Sequence, residues 1–175
     1  RAALALGQLP GDVRLGDALS QASRDADPEV RLAALVALAN QPVAPSRLWE
    51  ALGRGDPDER VAAARSLGAL AERGPLPEPA QAALLGVVLE SGDSAVLRRL
   101  RREAAQSLGR ALQQRDAGSA AGPVGELLRA LRRGPDADEV FDVVAALGAA
   151  LRERPQPAAR AALLELAEAG ADHTP

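Results

Sequence analysis

Apolar residues recur along this chain at intervals of three and four, the spacing of one face of a helix. Leu38 is preceded at those intervals by Leu35 and Ala34, Leu67 by Ala64 and Ala63, and Leu108 by Ala105 and Ala104. The pattern repeats. RAALALGQLP (1–10), DADPEVRLAALVALANQP (25–42), GDPDERVAAARSLGALA (55–71), GDSAVLRRLRREAAQSLGRAL (92–112) and DADEVFDVVAALGAAL (136–151) align without forcing around one leucine each. These anchors are Leu6, Leu38, Leu67, Leu108 and Leu147, at separations of 32, 29, 41 and 39 residues. A second apolar segment follows each anchor, at 15–22, 48–52, 82–89, 124–131 and 158–167. Each period therefore predicts two helices and two short polar turns, a first helix and an anchor-bearing second helix.

The second helices carry their own start signals. Asp27-Pro28 and Asp56-Pro57 open two of them. An aspartate there caps free amide groups. Proline at the first helical position gives up an N–H that has no partner anyway. Glu29, Asp58 and Glu59 follow, where the helix dipole favours negative charge. Arg31, Arg60 and Arg101 stand seven residues before their anchors, and Val140 takes that place in the last unit. Alanine clusters come next, and small side chains let helix axes approach closely. Gly68, Gly109 and Gly148 follow three anchors. A glycine inside a helix costs about 1 kcal/mol relative to alanine, so tight crossings are expected there. The unit anchored on Leu108 has about four extra residues, which predicts a longer second helix.

Composition sharpens the class. Forty alanines and 28 leucines fill the 175 positions, with no isoleucine and only Trp49 and Phe141 as aromatics. Such a mixture favours helices and starves a sheet of the residues it needs, so the fold class is all-α. There is no cysteine and a single histidine, His173, which rules out a disulfide framework, a thiolate metal site and a histidine-based triad within this chain. No apolar run is long enough for a membrane span.

The best unit, DADPEVRLAALVAL (25–38), has Asp-x-Asp-Pro, then Val-Arg, then an alanine cluster and Ala-Leu, which resembles the HEAT-repeat family. The resemblance spans nearly the whole chain, with repeats at about 13–41, 46–73, 78–115 and 120–153 and partial ones at 1–10 and 157–175. It implies an α-solenoid (an α-α superhelix) of about five helix-turn-helix repeats over 1–175, with first helices outside and second helices along the concave face. In this family the repeated arginine bonds an aspartate of a neighbouring repeat, which by analogy pairs Arg60 with Asp27 and Arg31 with Asp12. Asp27, Pro28, Asp56, Pro57, Arg31, Arg60, Arg101, Leu38, Leu67, Leu108 and Leu147 are thereby structural positions. Neither end reads as a polar cap, so a piece of a longer chain is expected, with loosely held helices at 1–9 and 158–170.

Function is sought in what packing leaves over. Positions five and two before each anchor and two after it form a second stripe: Ala33, Val36, Asn40; Ala62, Arg65, Ala69; Glu103, Gln106, Arg110; Asp142, Ala145, Ala149. It runs from apolar to charged, as an exposed groove does. Net charge is -3, but residues 93–133 hold nine arginines against four acids, and residues 134–175 hold three against eight. The basic centre contains Arg98, Arg99, Arg101 and Arg102. Arginine matches carboxylate geometry with two bonds at once. The expected partner-binding residues are Arg65, Arg98, Arg99, Arg102, Glu103, Gln106 and Arg110, and the expected partner is a protein or peptide with an acidic segment. A solvated face with internal bridges to Asp93, Glu103 and the acidic last repeats is the plainer alternative. No aromatic residue interleaves with these arginines, which disfavours nucleic acid. Trp49 and Phe141 are expected to pack, and Asp136, Asp138, Glu139 and Asp142 read as helix-start acids rather than a Ca²⁺ loop. The expectation is therefore a scaffold that is not an enzyme and carries no cofactor. A HEAT-like lyase or DNA-glycosylase-type activity and a plain spacer between domains remain the alternatives. Compartment and oligomeric state are left open.

Overall fold

The computed structural model describes residues 13–41, 46–113, 117–132 and 137–151, with Arg160 and Leu164. Within them all regular structure is helical: α1 (Val13–Ala22), α2 (Pro28–Leu38), α3 (Ser46–Arg54), α4 (Pro57–Ala71), α5 (Glu78–Val88), α6 (Ala95–Gln113), α7 (Ala117–Arg132) and α8 (Ala137–Leu151). The first unit with Leu6, the partner position Asp12, and the terminal segments 1–9 and 158–170 (Arg160 and Leu164 apart) lie outside the described residues. The remaining first-helix segments correspond to α1, α3, α5 and α7. Helix α7 starts earlier than expected, running through Pro123.

The caps form as the sequence dictates. Asp27 accepts a bond from the Glu29 amide, and Asp56 from the Glu59 amide at 3.0 Å. Proline occupies the first turn of both helices. The Asp56 carboxyl is held below its ordinary pKa, first by that backbone amide and further by the Glu59 and Arg31 side chains. A depressed carboxylate stabilises the fold at neutral pH and loses its contribution as pH falls through the lowered value. Asp56→Ala should therefore cost about 1 kcal/mol at pH 7. In urea titrations the gap to the parent protein should narrow below about pH 4, where carboxylates begin to protonate.

Helices pair as α1–α2, α3–α4, α5–α6 and α7–α8. The principal contacts beyond those pairs run along two rows, α2–α4–α6–α8 and α3–α5–α7. The anchors Leu38, Leu67, Leu108 and Leu147 are fully buried between the rows, with Ala63, Ala64, Ala104 and Ala105 beside them. Trp49 is half-buried and packs against this core. Helix α6, with 19 residues, is the longest.

Two serines immediately before anchors tie the second helices together. The Ser66 hydroxyl donates to the Leu35 carbonyl at 3.0 Å, and the Ser107 hydroxyl to the Ala64 carbonyl at 2.8 Å. Both acceptors lie three residues before the preceding anchor, so the same joint is made twice. A Cβ on Gly68 would stand 2.4 Å from the Ser107 hydroxyl oxygen, so this glycine does permit a tight crossing. At Gly148, which is exposed, nothing among the described residues lies within 4 Å of a Cβ built there.

The repeated arginines correct the expected pairing. Arg31, Arg60 and Arg101 each reach an acid of the next unit; Arg60 does not meet Asp27, while the expected Arg31 partner, Asp12, lies outside the described residues. Arg31 pairs with Glu59 and, at 3.4 Å, with Asp56. Arg60 pairs with Glu90, with its Nε on the Leu52 carbonyl at 2.8 Å. Arg101 is fully buried; it donates to the carbonyls of Glu90 (3.1 Å) and Gly92 (2.7 Å) and lies 3.6 Å from Asp142. Asp142 is accordingly 3% exposed. It leaves the solvent stripe because Arg101 draws it inward.

Phe141, expected to pack, is 62% exposed. It stands six residues before its anchor, where Leu32 is also on the surface. Val61 at the same position is buried on α4, between α2 and α6, whereas Arg102 at that position of α6, which also has two row neighbours, is exposed. Among the described residues α8 has one, α6.

Candidate functional site

The stripe positions converge on a groove across the second-helix row. Helix α2 and its C-cap contribute Leu32, Val36 and Ala39; α4 contributes Asp58, Val61, Ala62, Arg65, Ser66 and Ala69; α6 reaches in with Arg99. The space measures about 420 Å³. Its apolar lining is unusual for a surface because Leu32 and Val36, 36% and 45% exposed, stand one turn apart facing water. Helical spacing puts both on one side of α2. The buried Leu35 and Leu38 turn the other way.

The next groove in the row is built differently. Arg65 of α4 bonds Glu103 of α6, and Glu72, the C-cap of α4, meets Arg110 of α6 at 3.2 Å. Both pairs span 38 residues, so α4 and α6 run parallel in register and ionic bridges close the seam between them. The Arg65 hydrogen bond is the main reason the Glu103 carboxyl is held below its ordinary pKa; the charges of Arg65, Arg99 and Arg110 add to it. The Arg65 guanidinium is pushed up correspondingly. By the same register Arg99 stands level with Val61, at the open groove's edge.

The seven expected partner residues thus divide. Arg65, Arg99, Glu103 and Arg110 come together. Gln106 and Arg102 are exposed on the same α6 face. Arg98 turns aside to bond the Asp93 carbonyl. Arg101 belongs to the interior. Among the described residues neither Arg99 nor Arg102 makes a hydrogen bond or ion pair. Leu32 and Asp58 were not among the expected site residues. The signal for Leu32 lay in its spacing: with Val36 it forms an apolar pair off the anchor face.

No three histidine, cysteine, aspartate or glutamate residues gather into a metal-holding group among the described residues. No described helix is long and apolar enough to cross a membrane. No protein-family model matches this chain, and a search of the curated proteins found no match.

Proposed function

We propose that this chain is a HEAT-type α-solenoid segment that acts without catalysis, as a scaffold binding a protein or peptide along its second-helix row. One observation carries the reading: the α2–α4 groove leaves Leu32 and Val36 in water beside a lip bearing Arg65 and Arg99. Exposed aliphatic side chains in a concave, polar-rimmed setting are what a binding surface offers. Paired helices in two rows, the doubled serine joint and the forward arginine braces support the repeat architecture. A plain spacer would need no such groove.

The test begins with a random-peptide display selection on the immobilised chain. Selected peptides should lose at least tenfold in affinity on Val36→Asp, which places a charge on the groove floor at an exposed site. Ala82→Asp, on the exposed side of α5 in the other row, should leave affinity unchanged. Peptides indifferent to Val36→Asp, or none selected at all, would favour the spacer.

A further inference from the structure

We infer that the occupant of the α2–α4 groove is an acidic peptide, which seats an aliphatic side chain between Leu32 and Val36 and lays a carboxylate on Arg99. This rests on the groove reading above and adds the partner's chemistry to it. The cations around the groove differ in what already holds them. Arg65 is committed to Glu103 and Arg110 to Glu72. Arg101 is buried against Asp142, and Arg98 is turned onto the Asp93 carbonyl. After these commitments Arg99 and Arg102 still point their charge at solvent, three residues apart and so on one face of α6. Arg99 lines the apolar groove directly. The guanidinium fork fits a carboxylate with two parallel bonds.

The groove also limits how acidic the partner is. Asp58 lines it too, three residues before Val61 and therefore near Arg99 in the register of the row. A uniform polyanion meets that carboxylate with repulsion and leaves Leu32 and Val36 uncovered. A peptide that alternates aliphatic and acidic side chains satisfies all three, because its backbone amides can face Asp58. The volume of about 420 Å³ is in the lower part of the roughly 300–1,000 Å³ typical of ligand sites. That suits a few side chains of an extended segment rather than a whole helix.

The experiment uses the intact chain and the peptides recovered by display, resynthesised with a fluorescent label. Expected are enriched sequences pairing an aliphatic residue with Asp or Glu. Affinity should fall at least tenfold on Arg99→Glu and several-fold on the charge-neutral Arg99→Gln. A peptide with its acid changed to Lys should regain affinity for Arg99→Glu. Thermal midpoints equal to the parent's establish that these surface variants fold. Peptides that need Val36 but ignore Arg99→Glu and show no acidic preference overturn the acidic assignment and leave the groove reading standing. Absence of any Val36-dependent peptide overturns the groove reading itself. Binding of oligothymidylate or phosphatidylserine vesicles that Arg99→Glu abolishes and Val36→Asp leaves intact overturns the peptide in favour of a polyanion.

Discussion

Arg101→Met should be the most damaging single change in the described fold, lowering unfolding free energy by about 3–5 kcal/mol. Methionine approximates the arginine stem and leaves little void. The loss comes from what stays behind: Asp142, 3% exposed, loses the guanidinium that lies 3.6 Å away. The carbonyls of Glu90 and Gly92 also lose a donor at the turn into α6. For a chain of this size each kcal/mol moves the melting midpoint by about 2–4 °C, so the shift is easily read by calorimetry or urea titration. Arg101→Lys should recover only part, because one ammonium cannot serve both carbonyls and the carboxylate. The double variant Arg101→Met with Asp142→Leu should recover most, since replacing a buried ion pair by apolar groups is often near neutral. A single variant as stable as the parent would mean that Asp142 finds water, and the buried brace would lose its role.

That brace also shows where sequence reasoning reached and where it stopped. Anchors and caps were legible because local rules govern them. Leu38, Leu67, Leu108 and Leu147 follow from periodicity, and Asp27-Pro28 and Asp56-Pro57 from the chemistry of a helix start. The all-helical class followed from composition. The sense of the arginine bridges was not legible. Arg31 and Arg60 have acids available on both sides in sequence, and only the stacking direction of the row decides between them. Asp142 looked like any stripe residue until Arg101 was placed beneath it. Phe141 looked like core until its position proved to be covered only in α4, between α2 and α6. Of the groove, the stripe positions Val36, Ala62, Arg65 and Ala69 were visible in the pattern. Arg99 was expected as a contact from the basic run, but its place at the lip was not legible: it enters from a helix 41 residues further along the anchor series, and the bridge that occupies Arg65 is tertiary. The serine joints left no pattern to follow, since alanine replaces serine in the units of Leu38 and Leu147.

The joint at Gly68 carries the second large effect and ties stability to the candidate site. Gly68→Val should cost about 1–3 kcal/mol, although valine at an unconstrained helix position outperforms glycine. Its Cβ would lie 2.4 Å from the Ser107 hydroxyl oxygen and 3.1 Å from the Ser107 Cβ. The third neighbour, a guanidinium nitrogen of Arg110 at 3.0 Å, ends a flexible side chain and can swing away. Ser107 cannot, because it is buried and its hydroxyl is bonded to Ala64. The helices α4 and α6 must therefore part. Parting them stretches the Arg65–Glu103 and Glu72–Arg110 bridges on the same seam, so the Glu103 pKa should rise towards its ordinary value, as carboxyl NMR titration can follow. Adding Ser107→Gly removes both close atoms at the cost of the Ala64 bond. A double-mutant cycle should then return a favourable coupling of about 0.5–3 kcal/mol. If the two changes were simply additive, Gly68 would not be the point of contact between these helices. If Gly68→Val left the Glu103 titration untouched while lowering stability, the seam and the ionic bridges would be independent of one another.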